Sequence, residues 1–207
     1  MQRVGTLWGR KAAPASWQMG EELSWPLTVA LYIRDVLKLP ATDPFFIPPL
    51  VPPVPERIPV TGPELDIVLA GEWTAWFSGL LADPHAIPRG GSIDYFSLEG
   101  RAPSFRDMAA RYFDEAVAAA DIAHDGHFKH FHNNLKAEGG YPAKLVRSIE
   151  KELGRKAAPF TLNLAILPVE GFWLYRTAPT EVLMSAAARR DPEQLRRLLG
   201  PVVRELA

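Results

Sequence analysis

An α+β fold is what this sequence predicts, and three patterns predict it. Long stretches place apolar residues at helical spacing. One C-terminal stretch alternates apolar and polar residues. Proline crowds a single segment between the first two helical stretches. At 207 residues, with 47% hydrophobic and 23% charged residues, the chain reads as one globular domain, residues 1–207, large enough to bury its own core.

Residues 1–23 show weak periodicity, with Trp8 and Trp17 as the large anchors, and read as a flexible arm or docked strap. Ser24-Trp25-Pro26 reads as a helix start, since proline is tolerated in a first turn. Val29, Ile33, Val36 and Leu37 follow at helical spacing until Pro40. Residues 40–63 hold nine of the twenty prolines, interleaved with Phe45, Phe46, Ile47, Leu50, Val51, Val54, Ile58 and Val60. Proline removes the donor that helices and central strands need, so this is an extended strap, and its apolar side chains call for burial against the chain's own core. Phe45, Phe46, Ile47 and Leu50 are its candidate partner-binding residues.

Thr61 and Glu64 form a capping box ahead of a helix over 64–82, whose stripe includes Leu65, Leu69, Trp73, Trp76, Phe77 and Leu80. The stripe reads as core; a small-ligand platform on Trp73, Trp76 and Phe77 is the functional counter-reading. Residues 84–103 read as loop with at most a short strand. A helix starts at Ser104 and stops or bends at Gly126, with a further short helix over 127–137. Pro142 opens another, and Gly154 suits its C′ position.

The period then switches to two. Residues 160–167, 172–176 and 181–185 predict three strands, with Glu170-Gly171 and Ala178-Pro179 as turns. Short turns predict an antiparallel meander, so the expected architecture is helices packed on a small C-terminal antiparallel sheet. Asp191 caps a last helix, interrupted at Gly200-Pro201.

Charge and composition narrow the function classes. Absence of cysteine removes disulfide frameworks, thiolate metal sites and cysteine nucleophiles. The N-terminus lacks the apolar run of a signal peptide, and no stretch of 18 apolar residues exists, so the expectation is a soluble, cytoplasmic protein without a membrane partner. Its alanine, arginine and proline usage resembles that of high-GC bacterial genomes. Residues 61–125 carry 4 Lys/Arg against 11 Asp/Glu, and residues 126–207 carry 13 against 8. These blocks can face each other in the fold or across a contact between copies. No basic run exceeds two residues, which disfavours nucleic acid.

The densest cluster of potential chemistry is Asp121, His124, His127, His130 and His132. On a helix His127 and His130 share a face, and Asp121 or His124 could add a third ligand for zinc or another divalent metal. The HExxH pattern is absent, so no cofactor is the plainer expectation. Histidines on a solvated helix face are the structural alternative, and a pH switch is a third reading. Arg89-Gly90-Gly91-Ser92 reads as a turn before an anion loop, and Glu21-Glu22 as a solvated turn. The sequence assigns no activity. Its leading reading is a small non-enzymatic interaction or accessory protein, with a protein partner or self-association; the alternative is a metal-dependent hydrolase built on His124, His127 and His130.

Overall fold

The computed structural model describes residues 17–40, 45–55, 63–82, 96, 98, 100–138 and 141–207, with backbone alone at 63 and 134–138. Four strands and six helices fall within them: β1 (Trp17–Leu23), α1 (Trp25–Val36), α2 (Pro63–Ala82), α3 (Pro103–Glu138), α4 (Tyr141–Leu153), β2 (Phe160–Leu167), β3 (Leu174–Ala178), β4 (Glu181–Ser185), α5 (Ala186–Arg190) and α6 (Pro192–Leu206). The α+β class holds. No helix among the described residues is long and apolar enough to cross a membrane.

The sheet departs from the expected antiparallel C-terminal meander. Its order is β1-β2-β4-β3, with β1 and β4 both parallel to β2 and only β3 antiparallel to its neighbour β4. Burial decides the order. In β4, Val182 to Ser185 are all buried, so it takes a central place, whereas β3 is half-buried throughout except for the exposed Thr177 and suits an edge. Gly171, at φ 68°, turns the chain after β2, but the strand that follows skips one position. The N-terminal segment is corrected too. Residues 17–23 form an edge strand, not an arm; residues 1–16 lie outside the described residues.

Alternation along the central strands splits the interior in two. Leu162, Leu164, Ile166, Val182 and Met184 pack against α4 and α6, while Leu167 and Leu183 face the core built by α1, α2 and α3. The molecule is therefore three layers with the sheet between. The acidic helices α2 and α3 lie on one side and the basic α4 and α6 on the other, so the two charge blocks do not neutralise each other across one helical interface.

Helix α1 is buried on nearly every side; Asp35 is its least buried member. It runs antiparallel to α3, with the Trp25 indole donating to Asp121 (3.1 Å) and the Tyr32 hydroxyl to Glu115 (3.2 Å). The α2 stripe closes over it. Trp73, Trp76 and Phe77 are all buried, and the two indoles donate to the carbonyls of Ala30 (2.8 Å) and Phe96 (2.7 Å). Burying both rings with their N–H groups satisfied makes the stripe core.

Two predicted interruptions do not occur. α3 runs unbroken through Gly126, because one glycine costs only about 1 kcal/mol in a helix whose neighbouring turns are packed. α6 likewise runs through Gly200 and Pro201, with Leu195, Leu199, Val202 and Val203 anchoring both halves. Asp191 caps α6 as expected, accepting from the Glu193 and Gln194 amides. Gly154, at φ 66°, sits just past α4. Thr61 of the expected capping box and most of 84–103 lie outside the described residues, although Phe96 is fully buried.

Of the expected strap, 45–55 is described; 41–44 and 56–62 lie outside. Phe45 packs on Phe77 and Tyr175, and Ile47 and Leu50 are buried, whereas the Phe46 ring is 76% exposed. The strap is held at both edges. Arg34 of α1 donates to the carbonyls of Ile47 (2.7 Å) and Pro48 (2.8 Å), and Asp35 accepts from the Leu50 amide (2.7 Å). On the sheet side, Val51 donates to the Pro168 carbonyl (2.7 Å) and Glu170 to that of Pro49 (2.9 Å).

The end of α1 makes one prediction. Lys38 sits at φ 51°, donating to the Asp35 carbonyl while Leu39 donates to that of Arg34, a Schellman closure in which glycine is the unstrained residue. Lys38→Gly is expected to stabilise the protein by about 1 kcal/mol, read as a rise of roughly 2–4 °C in thermal midpoint. An unchanged or lower midpoint would show that the left-handed lysine carries no strain.

Candidate functional site

A cavity of about 810 Å³ opens where the strap, α1, α3 and the C-terminal end of β1 meet. Its floor is one face of α3, read through Glu115, Ala118, Ala119, Ile122, Ala123, Gly126, His127 and His130. Those positions advance by alternating steps of three and one, which keeps them on a single stripe of an unbroken helix. Its opposite wall is residues 50–55, with Leu23, Pro168 and Ala186 completing the enclosure. Volume and apolar lining fall in the range of small-molecule sites.

The local folding of each wall follows from the sequence. Small residues on α3 leave open space where larger ones would fill it. The strap cannot collapse into that space, because Arg34 and Asp35 on one edge and the 168–170 segment on the other hold its backbone. Leu50 and Val51 thereby spend their amides, and Pro52, Pro53 and Pro55 have none, which leaves this wall the amide of Val54. The middle of the cavity is consequently largely apolar, with the Thr28 hydroxyl donating to the Ser24 carbonyl, and charged or ionisable side chains gather at its ends.

One end carries Glu115 with the Tyr32 hydroxyl bonded to it. The other carries His127, His130 and Arg190. Behind His127 lies a charge cluster joining β1, α3 and α5. Arg189, only 5% exposed, donates to Glu21 at 2.6 Å, and His127 Nε2 stands 3.6 Å from the other oxygen of that carboxylate. Glu21 is therefore half-buried and ion-paired in a strand, not part of a solvated turn, while Glu22 is exposed.

Burial lowers the pKa of His127 to about 4, and the nearby positive charge of Arg190, Arg189, His124 and His130 adds to the effect. A carboxylate at 3.6 Å would by itself raise it, but Glu21 is already neutralised by Arg189 at a shorter distance, so desolvation prevails. His127 is neutral at pH 7. Its Nδ1 is buried without a hydrogen-bond partner among the described residues.

The four candidate metal ligands lie along about two and a half turns of α3, but they do different things. Asp121 accepts from Trp25, His124 stands 3.8 Å from Asp125, and His127 and His130 line the cavity. Among the described residues no three His, Asp or Glu side chains converge in an arrangement that could hold a metal ion. Of the candidate partner-binding residues, Leu50 is in the cavity wall, Phe45 and Ile47 pack into the chain's own core, and Phe46 faces solvent. Arg89, Gly90, Gly91 and Ser92 lie outside the described residues. Sequence reasoning missed Tyr32, Glu115 and Arg190 as cavity residues.

Comparison with family models, with curated proteins and with solved structures finds no match to this chain.

His127 makes the site's stability depend on pH. Its folded-state pKa lies below the 6.5 of a free imidazole, so the unfolded chain takes up a proton that the folded one refuses. Stability is full above pH 6.5, falls as pH drops toward 4, and levels off below. Allowing for solvent at the ring's edge, the loss is about 2 kcal/mol. His127→Gln is expected to remove that part of the decline, seen as a flatter plot of urea midpoint against pH between 6.5 and 4. Identical plots for the two proteins would contradict the assignment.

Proposed function

We propose that this protein is a non-enzymatic binding module whose ligand is a small molecule with an apolar body, taken up in the cavity between the strap and α3. The observation that carries this reading is the cavity itself: about 810 Å³, walled by prolines and floored largely by small residues, with charged and ionisable side chains confined to its two ends. A surface that offers few backbone donors along its length favours ligands that need few there. Burying apolar ligand surface against it supplies the affinity, at about 25 cal/mol per Å² before the costs of association.

This places the strap in the role of a ligand wall. It remains an accessory, interaction-type function, with a small molecule in the position of the partner. The neutral state of His127 fits the same reading, because an imidazole without charge does not oppose an apolar body lying beside it.

An uncharged, environment-sensitive fluorophore such as N-phenyl-1-naphthylamine tests it. Saturable binding at one site per chain is expected, with a blue-shifted emission. Ala118 is exposed and lines the floor, so Ala118→Trp fills the cavity without disturbing the core. That variant is expected to bind the fluorophore at least tenfold more weakly. Absence of saturable binding to the wild type, or equal binding by both proteins, would overturn the proposal.

A further inference from the structure

The cavity's two ends are chemically opposite, and their separation sets a direction. Glu115 and His130 are fifteen residues apart on one helix, or about 22 Å along its axis. At the first end stands a carboxylate already bonded by Tyr32. At the second, two arginines are adjacent in sequence but not equivalent. Arg189 is buried and its charge is cancelled by Glu21 at 2.6 Å. Arg190 is exposed, lines the cavity, and has no ion pair among the described residues. One uncompensated guanidinium therefore marks one mouth of an apolar groove whose far end is anionic.

We infer that the ligand is an anionic amphiphile of the monocarboxylate class, its head on Arg190 beside His130 and its apolar tail running along α3 toward Glu115. The inference rests on the reading of this cavity as a ligand site and goes further by fixing head group and orientation. A carboxylate matches the guanidinium in charge and planar geometry and can accept two parallel hydrogen bonds from it. The reverse orientation brings the anion to Glu115, where like charges repel. Between the ends the strap offers a second polar group at most the Val54 amide, because Leu50 and Val51 use their amides and Pro52, Pro53 and Pro55 lack them. A single head on a plain tail is the chemistry that leaves no polar group stranded.

Displacement of the bound neutral fluorophore by dodecanoate and by dodecanol tests the inference on the full chain. Dodecanoate is expected to displace it at a concentration at least tenfold lower than dodecanol. Arg190→Gln should bring the two to parity by weakening dodecanoate alone, and Arg190→Lys should restore part of the difference. Shortening the tail should weaken both ligands about fourfold per methylene. Equal displacement by acid and alcohol in the wild type, or dodecanoate binding unchanged in Arg190→Gln, would overturn the head-group assignment while the fluorophore result stands. A wild type that binds neither the fluorophore nor dodecanoate would overturn the cavity reading and this inference together.

Discussion

The arrangement depends on a buried guanidinium. Arg34 lies within α1 at 5% exposure, its plane near the face of Trp73 at 5.7 Å from the ring centre. A charge so far from water is tolerated only where its donors are used. Nε goes to Asp35 at 2.7 Å, and the two outer nitrogens go to the carbonyls of Ile47 and Pro48. Asp35 then returns an oxygen to the Leu50 amide. A proline-rich segment has more carbonyls than amides, and an adjacent Arg-Asp pair supplies the matching excess of donors with one acceptor. Exchanging such a pair for apolar residues need not cost stability, but removing one member strands the other and is worth about 3–5 kcal/mol.

From that clamp follow the strap's course and the cavity. Ile47 and Leu50 are drawn into the core, and residues 50–55 stand off α3 without closing onto it. Both edges of the strap are fixed to elements that are themselves rigid: α1 by its burial on nearly every side, and the 168–170 segment by its continuity with central strand β2. A ligand wall made in this way is preorganised, which limits the ordering cost of binding.

What could be read in the sequence was whatever a local pattern encodes. Helical spacing located α1, α2 and α4, alternation located β2 and β4, and Asp191 announced the start of α6. Strand order was not legible, because which strand is buried on both faces depends on what packs there. β1 was missed for a related reason. Its pairing partner lies more than 130 residues away, and its alternation carries Glu21 at an inward position where a local reading looks for an apolar residue. Glu21 is tolerable there only because Arg189 and His127 reach it from other elements. The histidines and the strap were each visible as unusual composition, but nothing local brings His127 and His130 opposite residues 50–55. That meeting is made by the antiparallel packing of α1 on α3, and by an Arg34 whose role shows only when its partners, thirteen and fourteen residues on, are in place.

Native-state hydrogen exchange of the Arg34→Gln variant tests the clamp most directly, since it reads the strap and the sheet separately. The Leu50 and Val51 amides, bonded to Asp35 and to the Pro168 carbonyl, are expected to lose at least a hundredfold in protection, while Leu164 within β2 loses far less. Equal protection of Leu50 and Val51 in the two proteins would contradict the account, because the strap would then be held by its apolar side chains without the buried charge.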